Sequence, residues 1–476
     1  MSTRAMVHLE ETLHGVQFII IDEYSVMGLV HWAGICNHVQ RARRTLAGAD
    51  AASLPHRPLA DLHVALFGDP RQHTGPKQTP VYTGARLADT DAAARVLADR
   101  LMTHGKVSAV TAAKAAAGRK HMRSLDAVFY LQQQHRRDDT QTGAQALNSI
   151  ARIFDGGGHA SPAEIERAVQ QLNDRAIRSL DGLFAPRTVL LRHSVQVYVN
   201  RRLAMVHAQQ LHRPVYVWRS HDQLDAGGAV SAEVATKLGN MPFNHTGNIN
   251  TFGFFFQGML TTFTDSDAPA LHRITTNTAT AVSLVPHDRE TPLPTTPGVH
   301  VLRYMPKAMI VLPDGPPLGS VCGAPVPDNC IMLVPETATF TVSGMPHKIT
   351  RLGFKGGAAY APTDYAAQGQ SFRATDWLAH ICPPDHGPFQ RASLYVVLTR
   401  FSDMAGLHLL APLYAPNNMA SYQAAIDHFT KVARRDEDLA AEMDRLRAAA
   451  TATAAAMPAA IARAKAAAAP LPPQPF

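Results

Sequence analysis

Two short, almost uninterrupted apolar runs stand out along the chain, and each stops on an acid. Val16-Gln17-Phe18-Ile19-Ile20-Ile21 is rich in β-branched residues and gives way to Asp22-Glu23, while Leu62-His63-Val64-Ala65-Leu66-Phe67 gives way to Gly68-Asp69. Runs of this kind predict strands buried on both faces of a parallel sheet. Between them, residues 30–46 place apolar side chains at helical spacing, so the order is strand, helix, strand, and the class is α/β.

Residues 84–124, rich in Ala, Arg and Lys, predict flanking helices, followed by a strand at 127–131. Residues 142–183 predict helix with a loop at Gly156-Gly157-Gly158, then a strand at 188–191 and a helix over 195–209. From 212 to 350 the texture changes to short β-type runs divided by Pro, Gly, Asp and Asn, the pattern of a smaller β-rich insertion. Helix and parallel-strand texture resumes at Ala361 and again at Leu394–Leu398. The end is Ala-dominated from Ala448, broken by Pro458, and finishes in a Pro-rich stretch, which predicts a solvated helix and a disordered tail. The expected segments are 1–125, 126–211, 212–350, 351–415 and 416–476.

Composition narrows the class. Hydrophobic residues are 46% and charged residues 17% of 476, which excludes global disorder and is ample for several cores. No run is long enough to span a membrane, and Arg4, Glu10 and Glu11 interrupt the opening stretch, so an intracellular protein without membrane association is expected. Four cysteines without a CxxC pair argue against a disulfide framework and a ribbon-type zinc site. His380, Cys382 and His386, or His31, Cys36 and His38, lack four ligands at a usual spacing and read as ordinary surface or helix residues. A net charge of +7 permits a polyanionic partner without requiring one.

The acids carry the chemistry. A carboxylate pair directly after a buried strand sits at the carboxyl edge of the sheet, where open α/β folds bind ligands. Phosphoryl transfer needs one carboxylate to hold Mg²⁺, usually through water, and one to align and deprotonate the attacking water. Gln72, just past the second run, is delivered to the same edge. Arg136 and Arg400 each follow a strand-like run, and an arginine aimed at a γ-phosphate stabilises developing charge. Ahead of Arg400 lies a small-residue loop containing Gln368, Gly369 and Gln370.

Taken in order, IIIDEYSVMG, LFGDPRQ, QHRR, APTDYAAQGQSF and LYVVLTRFSDMAGLHLL resemble motifs II to VI of the Pif-type and RecD-like superfamily 1B DNA helicases, especially copies carried by mobile elements. The resemblance spans roughly residues 10–415. It implies two RecA-like P-loop NTPase motor lobes, the first incomplete, with a small SH3-like β-rich insertion in the second. It also implies ATP and Mg²⁺ as cofactors, single-stranded and duplex DNA as partners, and ATP-dependent unwinding as the activity, placed in the nucleus or mitochondrion if the source is eukaryotic.

By that resemblance Asp22 would coordinate Mg²⁺ through water, Glu23 would be the catalytic base and Gln72 would sense the γ-phosphate. Arg136 and Arg400 would reach the phosphates on lobe closure, and Gln368, Gly369 and Gln370 would couple the cleft to the strand. Two positions depart from the pattern. His73-Thr74-Gly75-Pro76 replaces a DNA-facing Leu-Pro-Pro corner, and Tyr365-Ala366 replaces His-Lys. No segment has the G-x-x-x-x-G-K-[ST] spacing; Gly105-Lys106-Val107 and Gly118-Arg119-Lys120 come nearest. The chain therefore reads as a truncated or degenerate copy, with a non-catalytic single-stranded-DNA-binding remnant as the alternative.

Overall fold

The computed structural model describes residues 2–54, 59–75, 78–105, 107–131, 137–138, 140–158, 160–191, 195–225, 227–228, 230–239, 241, 245–266, 268–274, 277–290, 292–319, 326–342, 347–372, 377–382 and 390–467. The chain opens with α1 (Thr3–Leu13), β1 (Phe18–Ile21), α2 (Leu29–Ala47), β2 (His63–Leu66), α3 (Asp91–Thr103) and α4 (Ala109–Arg123). Strands β1 and β2 pair in parallel, as the apolar runs predict. Met6, Leu13, Trp32, Cys36, Val39 and Leu62 close the core beneath them.

The prediction that β1 is buried on both faces fails. Among the described residues its sheet has two strands, and Phe18 and Ile20 are 55% and 67% exposed while Ile19 and Ile21 turn inward. Its composition demands two covered faces, and helices cover one. The stretch expected as a strand at 127–131 is not one, its Val128 N–H donating to Thr453 Oγ1 (3.1 Å) and its Phe129 and Leu131 exposed. Residue choice there suits a strand, but it has no ladder partner among the described residues.

A second lobe follows with α5 (Thr142–Ile153), α6 (Pro162–Asn173), β3 (Arg187–Leu190) and α7 (Gln196–Gln210). Helix α6 begins with a capping box between Ser161 and Glu164 and Pro162 in its first turn, which satisfies the free N–H groups there. The chain then enters β-rich structure: β4 (Pro214–Arg219), β5 (His221–Leu224), α8 (Ala232–Gly239), β6 (Phe252–Phe255), β7 (Leu260–Phe263), β8 (Thr278–Val285), β9 (Gly298–Val301), β10 (Ala308–Pro313), β11 (Ile331–Leu333), β12 (Glu336–Phe340), β13 (Ile349–Gly353) and β14 (Gly356–Ala358). These make sheets ordered β6-β4-β9, β11-β10-β8-β7-β14 and β12-β13-β5.

The lobe resumes with α9 (Asp364–Ala367), β15 (Trp377–His380), α10 (Arg391–Arg400) and β16 (His408–Leu409), and its parallel sheet is ordered β16-β15-β3. The run 394–398, strand-like by composition, is the middle of α10. It is buried all round, so its apolar residues carry no period that could tell helix from strand. Helices α11 (Met419–Val432) and α12 (Glu437–Ala467) complete the chain. Phe429 and Val432 of α11 join the core of α5, α6, β3 and β15, and Leu439 and Met443 of α12 are buried as well. The expected tail from 416 thus begins as core, because those apolar residues recur at helical spacing, and turns to exposed helix from about 448. No helix among the described residues is long and apolar enough to cross a membrane.

Gly118, the nearest imitation of a phosphate loop, is a packing residue. It lies mid-helix where α4 crosses α2, and a Cβ placed there would sit 1.9 Å from the Leu29 carbonyl oxygen. Gly118→Ala must push the helices apart, an overpacking cost of about 1–3 kcal/mol. The midpoint of urea denaturation should fall accordingly; an unchanged midpoint would contradict the helix contact.

Candidate functional site

The end of β1 turns sharply. Glu23 has φ 51°, in the left-handed region, and its N–H donates to Asp22 Oδ1 (2.8 Å), which leaves the second Asp22 oxygen free of that bond. Tyr24 N–H donates to Phe67 O (2.9 Å), fastening this turn to the end of β2. Gly68 follows with φ 152°, and a Cβ there would lie 2.9 Å from the Tyr24 ring, so glycine is what allows the two strand ends to approach. Both carboxylates therefore emerge at one sheet edge, as β1 and its acids predict.

The next turn bears Gln72, whose N–H donates to Asp69 O (3.0 Å). Its Oε1 is buried and meets no donor among the described residues. Asp69 Oδ1 accepts from Arg71 N–H (3.0 Å) and Nε–H (2.8 Å), and Asp69 Oδ2 accepts from Tyr395 O–H (2.8 Å) of α10. Burial, then the Asp69 charge, pushes the Tyr395 phenol well above its ordinary pKa, so it remains a donor. The Arg71 guanidinium lies 5.2 Å from the Tyr395 ring centroid and 3.8 Å from Asp155 Oδ2. One turn of the first lobe thus grips the second.

The loop 361–370 completes the seam. Its start is sewn to β3, with Thr188 N–H donating to Tyr360 O (2.7 Å) and Leu190 N–H to Pro362 O (2.9 Å). At its far end Gln368 Nε2 donates to Glu23 Oε2 (3.1 Å) and to Ser25 Oγ (3.3 Å). Gly369, with φ 79°, passes so close that its Cβ position lies 3.8 Å from Glu23 Oε1. Gln370 folds back, Nε2 donating to Ala366 O (2.9 Å), while its carbonyl accepts from Arg400 Nη1 (3.3 Å).

The structure thus brings Asp22, Glu23, Gln368 and Gly369 into one place, with Arg400 joined to it through Gln370. Arg400 is only 2% exposed and also donates to Val396 O (3.2 Å), so its guanidinium supports the loop from beneath. Gln72 lies on the same seam without a hydrogen bond to the acids. Arg136 lies outside the described residues. Its neighbour Arg137, which the sequence did not single out, is buried and donates to Leu398 O, Phe401 O and Asn148 Oδ1, capping the carboxyl end of α10. Tyr395 was also missed; a tyrosine within an apolar run carries no signal of its own.

Beside the loop, between β3, α7, β6, β7 and β14, opens a cavity of about 330 Å³. Thr363, Gln370, Arg187, Asn200, Arg201 and Phe252 are among the residues that line it. Arg187 lies 5.5 Å from the Trp377 ring centroid and Arg201 5.2 Å from that of Phe252. Burial pulls the Arg201 guanidinium below its ordinary pKa, and no carboxylate among the described residues pairs with either arginine. Half-buried cations without counter-ions favour an anionic ligand.

Among solved structures, the chain is similar to Bacteroides Pif1 bound to ssDNA, at 14% identity over 90% of this chain and 77% of that one, with a TM-score of 0.50. The fold is that of a Pif1-type helicase. Pif1 helicase from Candida albicans also aligns, at 13% identity over 90% of this chain and 82% of that one, with a TM-score of 0.44. No protein-family model and no curated protein matches.

Within this Pif1-like fold Asp22 Oδ1 is committed to the Glu23 N–H, while its Oδ2 accepts no hydrogen bond among the described residues, a hard oxygen of the kind that holds the water shell of Mg²⁺. The orphaned Gln72 Oε1 suits a donor brought by a ligand or water. No segment of the 476 residues carries a glycine-rich loop ending in Lys-Ser or Lys-Thr. Tyr395→Phe would leave Asp69 Oδ2 without its donor, a loss of about 1–3 kcal/mol. Thermal or urea unfolding should show that loss, and an unaltered stability would mean the seam does not depend on this bond.

Proposed function

We propose that this chain is a DNA-binding motor of the helicase type, in which the acidic edge responds to Mg²⁺-nucleotide and the arginine-lined cavity holds a single strand. One observation carries the reading: the loop 361–370 touches both places. Its Thr363 and Gln370 wall the cavity, and its Gln368 holds Glu23. A shift of either end displaces the other, which is the physical requirement for coupling nucleotide state to grip.

In this reading Asp22 holds Mg²⁺ through water and Glu23, anchored by Gln368, aligns water beside it. Arg187 and Arg201 take phosphates of the strand, and the apolar face of Phe252 offers a surface for a base. Duplex unwinding follows if the strand is drawn past this point while the seam alternates. Hydrolysis is a different matter. Without backbone amides and a lysine around the phosphates, most charge-assisted bonds to a triphosphate are absent, and no hydrolytic step is assigned to these residues.

Two measurements test the proposal. Anisotropy of a labelled oligo-dT should report binding that weakens with salt, and Arg201→Ala should lower the slope of log affinity against log salt by about 0.7, the loss of one single-strand phosphate contact. Binding indifferent to salt, or unaffected by Arg187→Ala and Arg201→Ala together, would refute the cavity as the strand site. The same chain with oligo-dT and Mg-ATP should show negligible phosphate release; turnover in the ordinary enzyme range of ~1–10³ s⁻¹ would refute the reading of the phosphate cradle. An affinity that changes with a non-hydrolysable ATP analogue supports the motor, and one that never changes supports a simple strand-binding remnant.

A further inference from the structure

The two places where the chain departs from the helicase pattern meet each other across the seam. His73 directly follows Gln72, and its side chain is fully buried. Its ring stacks on Tyr365, with centroids 4.1 Å apart and planes 19° from parallel. His73 Nε2 also lies 2.9 Å from Asp364 Oδ2, off the line of a ring N–H, and its Nδ1 has no partner among the described residues. Stacking on Tyr365 and close packing against Asp364, rather than a directed hydrogen bond, hold the ring.

Asp364 and Tyr365 open α9, the single turn that ends one residue before Gln368. Burial pushes the Asp364 carboxyl up, but His73, with Ser393 of α10 and the Tyr365 N–H, outweighs it and holds the group below its ordinary range. Three elements therefore converge on one packed point: the turn carrying Gln72, the turn carrying Gln368, and the helix carrying Arg400. A side chain with no exposed surface cannot touch a strand in this arrangement, whereas a ring wedged between lobes fixes their separation.

We propose that His73, Asp364 and Tyr365 form a clasp that joins the two lobes in the absence of nucleotide and sets the position of Gln368 against Glu23. They are positioning residues, withdrawn from the strand, and grip on DNA passes to the cavity. On the other side of the seam, Asp438 of α12 accepts from Gly84 N–H (2.9 Å) and Arg86 Nε–H (3.1 Å), and this contact remains as a pivot when the clasp is broken. The geometry of the clasp stands by itself; only the meaning given to Gln368 and Glu23 rests on the proposed function.

Double electron–electron resonance on the full chain tests it, with spin labels on non-canonical residues at the exposed Arg41 of α2 and Arg167 of α6. Wild type should give one narrow distance distribution without nucleotide. Tyr365→Ala and His73→Ala should each broaden it, the double variant no further than the broader single one, and Tyr365→Phe, which keeps the stacked ring, should restore the narrow form. Tyr365 is half-buried, so Tyr365→Ala serves if His73→Ala does not fold. A narrow distribution in Tyr365→Ala overturns the proposal. Failure of wild type to bind oligo-dT would count against the proposed function alone, since the distance measurement needs no DNA.

Discussion

One hydrogen bond organises the seam, that from the Gln368 amide to the Glu23 carboxylate. It joins the edge of one sheet to a loop of the other lobe, and it requires both backbones to be held within a fraction of an ångström. Glu23 reaches it only because the turn after β1 enters the left-handed region and Gly68 lets the neighbouring strand end come close. Gln368 reaches it because the loop before it is stitched to β3 and supported from below by Arg400. A carboxylate and an amide at the end of such supports are pre-organised, and little further ordering is needed to align a ligand there.

The handling of cations shows which groups are structural. Arg351 is fully buried, and Asp222 meets it with two oxygens while the Ile249 carbonyl and Thr251 hydroxyl accept from its Nη1. Arg137 spends its donors on the carbonyls at the end of α10. Among the described residues no carboxylate pairs with the cavity arginines, and burial holds the Arg201 guanidinium below its ordinary pKa.

How much of this was legible in the sequence depends on how local the signal is. β1, α2 and β2 were readable because β-branched runs and helical spacing are properties of neighbouring residues, and Asp22 and Glu23 came with them. Gln368 was readable through the order of motifs, although its partner was not. The apolar middle of α10 was misread because a helix buried on every side loses its period, and the unpaired stretch at 127–131 because pairing is decided by what lies alongside. Arg137 and Tyr395 act through contacts made with residues far off in sequence, and nothing in their own surroundings marks them; His73 stood out only as a departure from the helicase pattern, and its partners were not legible.

The way the last two helices pack also fixes where the cooperative unit ends. Since Phe429, Val432, Leu439 and Met443 are part of the interior, a protease trimming the folded protein from its carboxyl end would pass easily through the Ala-rich turns beyond about 448 and then stall. Removal of everything after residue 415 would strip a wall from the second lobe, and the edge of the autonomous folding unit lies one helix and a half downstream of the last recognisable motif.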